Sequence, residues 1–128
     1  KYGGKYVLGH ATGQNHYDMF KGGMEAGETI IQTALRECEE ESGLIFQEKD
    51  LHFISHTDYT SKKDLVIYVA KIDSLNLVDL KCTTFIKGST DRLEMDYYAL
   101  MDFDEMLAKV GKSMSALFAE HRSQIEAI

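Results

Sequence analysis

The chain contains no proline and no tryptophan, and only two cysteines among 128 residues. Any motif that relies on proline or tryptophan can therefore be present only in altered form. Cys38 and Cys82 have neither metal-ligand nor redox spacing, which fits reduced thiols in a cytoplasmic protein. No apolar run approaches membrane-spanning length and no signal peptide is visible, so no membrane partner is expected. Basic residues are outnumbered, 14 Lys and Arg against 21 Asp and Glu, giving a net charge of −7. That balance excludes a broad, sequence-independent nucleic-acid surface and argues against DNA, while leaving room for a small basic patch. His10, His16, His56 and His121 lack ligand spacing and read as surface or loop residues. Of these, His16 lies nearest a glycine turn. The Asp-rich stretches 73–79 and 102–104 lack the glycine and terminal glutamate of a calcium loop.

What is present fits one globular domain over residues 1–128, with 44% hydrophobic and 27% charged residues. Strands are expected at 5–10, 17–21, 51–60, 65–72, 81–87 and 95–101, with a turn at 61–64. Segment 73–80 is ambiguous. A helix is expected over 102–110, and an amphipathic one over 113–127 with Met114, Leu117, Phe118 and Ile125 inward. This order gives an α+β class with a mixed sheet. Lys1 already lies in a strand-like segment, so the N-terminal strand reads as incomplete and a short piece is expected ahead of it.

The most informative stretch runs from Gly22 to Leu44. Thr29 and Gln32 form a capping-box pattern, and Gly43 is a stop signal, so a helix should fill the interval. Rotation of about 100° per residue gathers Ile30, Ile31, Ala34, Leu35 and Cys38 in one arc expected to face the core. Glu37, Glu40 and Glu41 share the neighbouring arc, flanked by Arg36, while Glu39 points to solvent. Like charges at i,i+4 cost a few tenths of a kcal/mol on a bare helix (roughly 0.2–0.5). A hard divalent cation, Mg²⁺ or Mn²⁺, would reverse that sign. The bland alternative is a solvated acidic face.

The spacing G-x5-E-x7-R-E-U-x-E-E-x-G-U, with U a bulky apolar residue, resembles the Nudix box. Gly22, Glu28, Arg36, Glu37, Glu40, Glu41, Gly43 and Leu44 fall in register. Cys38 stands where Ile, Leu or Val is usual, and it buries as well as they do. The resemblance implies an α/β/α sandwich and hydrolysis of a diphosphate joining a nucleoside to a second group. It implies metal binding by Glu37, Glu40, Glu41 and the backbone carbonyl of Lys21. Glu37 would bind metal directly or through water, or act as base, oriented by Arg36. Glu28 would structure the loop, and Gly22 and Gly23 would supply backbone conformations closed to other residues. A further carboxylate is expected after the later strands, with Glu94 first and Asp96 and Asp91 behind it.

The flanking residues bear on the substrate. YDMFKGGMEAGE resembles the lead-in of the diadenosine tetraphosphate hydrolase and RNA pyrophosphohydrolase branches, with Tyr17 for their tryptophan and Phe20 for their proline. Lys21 keeps their lysine. DYTSKKDLVIYVAKI resembles a later segment of the same enzymes, which implies Tyr59 as a base-stacking platform and Lys62 or Lys63 as a phosphate clamp. The alternative there is a hairpin turn with solvated lysines. The expected substrate is a small nucleotide, a dinucleoside polyphosphate first, then ADP-ribose or a nucleotide sugar, then an RNA 5′ end. A catalytically silent binding module of the same fold would usually carry a broken box, and this box is intact. An acidic helical interaction protein without a metal site is the most distant alternative. Oligomeric state is not legible.

Overall fold

The computed structural model describes residues 1–128. Strand β1 (Tyr6–Ala11) pairs antiparallel with β5 (Met95–Met101) on one side and with the two-residue β2 (Tyr17–Asp18) on the other. Strands β3 (His52–Thr60) and β4 (Lys63–Val69) form a separate antiparallel hairpin. Helix α1 (Ile30–Ser42) lies between β2 and β3 in the chain. Helices α2 (Phe103–Lys109), α3 (Lys112–Glu120) and α4 (Arg122–Glu126) follow β5. Parallel pairing is confined to two places. Lys1 bonds β4's extension through its N–H to Ala70 O (2.7 Å) and its O from Ile72 N (2.9 Å), and Tyr17 bridges Val110.

The core forms where alternate residues of β1 and β4 meet the C-terminal helices. Tyr6 and Leu8 from β1 and Leu65, Ile67 and Val69 from β4 pack with Met106, Met114, Phe118 and Ile125. Period-two burial along β4 is what a half-buried strand requires. Met114, Phe118 and Ile125 are inward as expected, and Leu117 packs against the same core. The single helix expected over 113–127 is broken at His121, yet its apolar stripe continues across the break.

Two expected strands differ. Segment 81–87 makes only one bridge, Phe85 to Leu93. Its donors go elsewhere, Lys81 N to Ser42 O (3.0 Å) and Thr83 N to Glu40 O (2.7 Å), which ties it to the end of α1 instead of to a sheet. Beyond Asp18, Met19 N and Lys21 N donate to the carboxylates of Asp18 and Glu41, so the short strand expected to reach Lys21 stops at two residues.

The apolar arc of α1 does not join the core as expected. None of its side chains belongs to the core cluster, and Ile30 is 40% exposed. A cavity of about 840 Å³ separates Ile30, Ala34 and Cys38 from Ile67, Phe118 and Ile125. The buried residues of α1 are Thr33, Glu41 and Ser42.

Candidate active site

The start of α1 is built by the residues that the capping pattern marks. Thr29 accepts from Gln32 N (3.2 Å), and Gln32 accepts from Thr29 N (3.0 Å). Gly43 closes the helix at φ 79°, a conformation costly for any residue with a Cβ. One guanidinium organises the face between them. Arg36 donates from Nε to Glu28 Oε2 (2.6 Å) and from Nη1 to both Glu37 (2.7 Å) and Glu40 (3.1 Å). Its Nη2 donates to the Gly23 carbonyl (2.8 Å) and to Glu28 Oε1 (3.1 Å). The planar fork of arginine satisfies these acceptors together, which a lysine cannot do. Thr33 Oγ1 donates to Glu28 from the buried side (2.9 Å). The Arg36 hydrogen bond holds the Glu28 carboxyl at about 2, and in turn Glu28 raises the Arg36 pKa.

The carboxylates one turn further on are less compensated. Glu41 is 4% exposed and accepts from Lys21 N (2.6 Å), while the Glu94 side chain lies within hydrogen-bonding reach. Burial pushes Glu41 up to about 9, Lys21 N opposes that shift, and Glu94 adds to it. Burial also raises Glu37 against the pull of Arg36, with Glu40 and Glu94 contributing repulsion. Four carboxylates from α1 and the segment before β5 thus share one region, with Arg36 the cation bonded to Glu37 and Glu40.

This region suits a hard cation by its donor chemistry. No three side chains converge on a common centre in this structure. Arg36 engages Glu37 and Glu40, and Glu41 is turned toward Lys21 N. The approach of Glu94 to Glu41 disfavours ionising both carboxyls together, an obstacle that a divalent ion bound by carboxylate oxygens relieves.

The other residues singled out from the sequence fall in different places. Gly22 has ordinary backbone angles, as does Gly23, so neither supplies the special conformation expected of it. Gly22 matters for space instead, because a Cβ there would displace the Glu37 carboxylate from the place where Arg36 holds it. Lys21 Nζ pairs with Asp18 (3.3 Å), a partner with no spacing signal in the sequence. Lys21, Gly22, Gly23, Tyr59, Lys62 and Lys63 line the same cavity. Lys62 and Lys63 are exposed at the β3–β4 turn, and Tyr59 is half-buried against the core. Tyr17 lies elsewhere, edge-on to His10 and Tyr97. Asp96 is bonded to His10 Nδ1 (2.7 Å) and Asp91 to Ser89 (3.0 Å), whereas Glu94 faces Glu41. Tyr98, whose hydroxyl donates to the Glu41 carbonyl, fixes the last turn of α1 and was not legible in the sequence; nor was Thr33.

The NUDIX domain profile matches residues 3–119. The chain belongs to the Nudix family. Its box is complete, and the reaction class is hydrolysis of a pyrophosphate bond. Members of the family generally use divalent metal ions. Nothing among curated protein sequences matches. Among solved structures, a Caenorhabditis elegans Ap4A hydrolase binary complex is similar at a TM-score of 0.71 and 17% identity, covering 97% of this chain and 89% of that one. The NUDIX domain of Shewanella oneidensis NrtR, complexed with ADP ribose, is similar at 0.67 and 11%, covering 94% and 77%. The Escherichia coli ORF135 protein is similar at 0.62 and 16%, covering 97% and 83%. At these identities the likeness is one of fold.

Proposed function

We propose that this Nudix hydrolase is Mg²⁺-dependent and cleaves dinucleoside polyphosphates. The observation that carries the reading is the shared cavity lining, which joins Lys21 and the glycine turn to Tyr59, Lys62 and Lys63. A polyphosphate chain needs cations spread along its length and a platform for a base at its end. Three lysines and a tyrosine beside a carboxylate cluster meet both needs.

In this reading Glu37, Glu40, Glu41 and the Lys21 carbonyl hold the metal. A divalent ion there supplies neutralisation of phosphate charge and acidifies bound water. Arg36 bridges Glu37 and Glu40 through one Nη1, which offsets their mutual repulsion. Glu37, partly desolvated, suits acceptance of the proton from the attacking water, with Glu94 the nearest alternative. Lys62 and Lys63 bind the outer phosphates, and Tyr59 stacks on a base.

The test is a panel of dinucleoside polyphosphates, ADP-ribose, NADH, nucleotide sugars, nucleoside triphosphates and 5′-triphosphorylated RNA, with Mg²⁺ or Mn²⁺ and products resolved by chromatography. Diadenosine tetraphosphate is expected to be cut fastest. Faster cleavage of ADP-ribose, the ligand of the similar NrtR domain, would overturn the substrate ordering. Cleavage of none would overturn the assignment altogether.

A further inference from the structure

The chain has three arginines, and two of them are committed to carboxylates. Arg36 bonds Glu28, Glu37 and Glu40, and Arg122 bonds Asp104 and Glu126. Arg92 is exposed and its guanidinium bonds no carboxylate, although acids outnumber bases 21 to 14. It stands on a short hairpin that ends in Glu94. Phe85 bridges Leu93, Ile86 N donates to Arg92 O (2.8 Å), and Glu94 N donates to Thr84 O (2.9 Å). Residues two apart in such a ladder project to one face, so Arg92 and Glu94 share a side. Glu94 in turn meets Glu41, which leaves an unpaired cation on the flank of the carboxylate cluster.

The backbone of Arg92 is held while its side chain stays free. Ser89 Oγ accepts from Arg92 N (3.0 Å) and Asp91 N (3.3 Å), and donates to the Asp91 carboxylate (3.0 Å). Asp96 is engaged by His10 (2.7 Å), so the acids nearest in sequence all have other partners. Thr83 N ties the base of the hairpin to Glu40 O (2.7 Å), and Thr12 N donates to Glu94 O (3.1 Å) from the β1–β2 loop. The guanidinium lies beside that loop at Gly13, where a Cβ would come within 2.8 Å of Nη2. A fixed backbone and an uncommitted fork describe a group set up for an anion.

Contacts place this fork at one end of a series. Tyr59, Lys62 and Lys63 line the same cavity as Lys21, Lys21 N bonds Glu41, Glu41 meets Glu94, and Glu94 shares its ladder with Arg92. Lys21 Nζ is already paired with Asp18 (3.3 Å). We propose that Arg92 binds phosphate at the end of the substrate chain remote from Lys62 and Lys63, and so favours a longer polyphosphate over a plain diphosphate. The planar fork matches two phosphate oxygens at once. This assignment rests on the polyphosphate reading of the site given above.

The experiment adds inorganic tripolyphosphate with Mg²⁺ and follows the arginine Nε–H signals by NMR, Arg122 serving as internal reference. Calorimetric titration gives the tripolyphosphate Kd for the natural protein, Arg92→Ala and Arg92→Lys. The Arg92 signal is expected to move and that of Arg122 to stay. Kd should weaken about 10-fold in Arg92→Ala and recover in part in Arg92→Lys, which keeps the charge without the fork. KM for diadenosine tetraphosphate should rise in step, and KM for ADP-ribose by less. An unmoved Arg92 signal, or an equal Kd in the natural protein and Arg92→Ala, would overturn the proposal. So would a fall in kcat with Kd unaltered, which would mean that Arg92 only positions Glu94. If Arg92→Ala does not fold, the Nε–H shift in the natural protein and the Kd of Arg92→Lys decide. Tripolyphosphate bound through Arg92 by a protein that leaves diadenosine tetraphosphate uncut would overturn the substrate reading and support the Arg92 site.

Discussion

Arg36 is the residue on which the charge balance of the site turns. It meets Glu28, Glu37, Glu40 and the Gly23 carbonyl with one planar group. Arg36→Lys keeps the charge and loses the fork, and is expected to lower kcat/KM on the order of 10²-fold with the fold intact, checked by steady-state kinetics and circular dichroism. Glu28 carries a pH signature. Its folded carboxyl sits at about 2, below the unfolded value of about 4.3, so its stabilising contribution is complete above that unfolded value and is lost as pH falls toward 2. The Tm gap between the natural protein and Glu28→Gln should be present at pH 7 and close by about pH 2. Glu41 has the opposite sign. Its folded carboxyl is raised to about 9, so the cost of ionising it in the folded state grows as pH climbs from about 4.3 toward 9. In chelator-treated protein at pH 8, Glu41→Gln should therefore raise Tm, and with Mg²⁺ restored it should abolish turnover; a lowered Tm would contradict the burial argument. The residues of the box were legible because fixed spacing on a helix fixes a shared face. Asp18, Thr33 and Tyr98 were not: Asp18 and Thr33 meet Lys21 and Glu28 through the local path of the loop, and Tyr98 meets Glu41 from a distant strand, contacts that leave no periodicity.

At the scale of elements, α1 is held by its ends more than by its face. Thr29 and Gln32 cap one end. At the other, Gly43 takes the left-handed conformation, and Lys81 N and Thr83 N bond the last carbonyls. Thr29→Ala is expected to cost about 1 kcal/mol in chemical denaturation, and Gly43→Ala about 1–2 kcal/mol. Helix limits were readable because caps are local chemistry. The strand expected over 81–87 was misread for the converse reason. Its composition suits a sheet, but its donors are taken by the C-terminus of α1, and a sequence pattern does not say which acceptors will be near. The strand expected to end at Ile72 stops at Val69, where its pairing with β3 ends, and beyond it Ala70 and Ile72 bond to Lys1.

At the scale of the whole molecule, the two sheets and the C-terminal helices make a frame on which α1 stands over a cavity. The α+β class followed from the order of elements, while the separation of the hairpin β3–β4 from the sheet of β1 did not, since pairing between distant strands depends on edges that composition leaves open. The frame brings Glu94, from the segment before β5, to the carboxylates of α1 across more than fifty residues of chain. The measurement that tests the account most directly is hydrolysis of diadenosine tetraphosphate in Mg²⁺ by the natural protein and by Glu40→Gln, with Tm recorded for both. The account predicts turnover by the first, a loss of about 10³-fold or more in the second, and Tm values within a few degrees of each other. Near-equal turnover by the two proteins would contradict it.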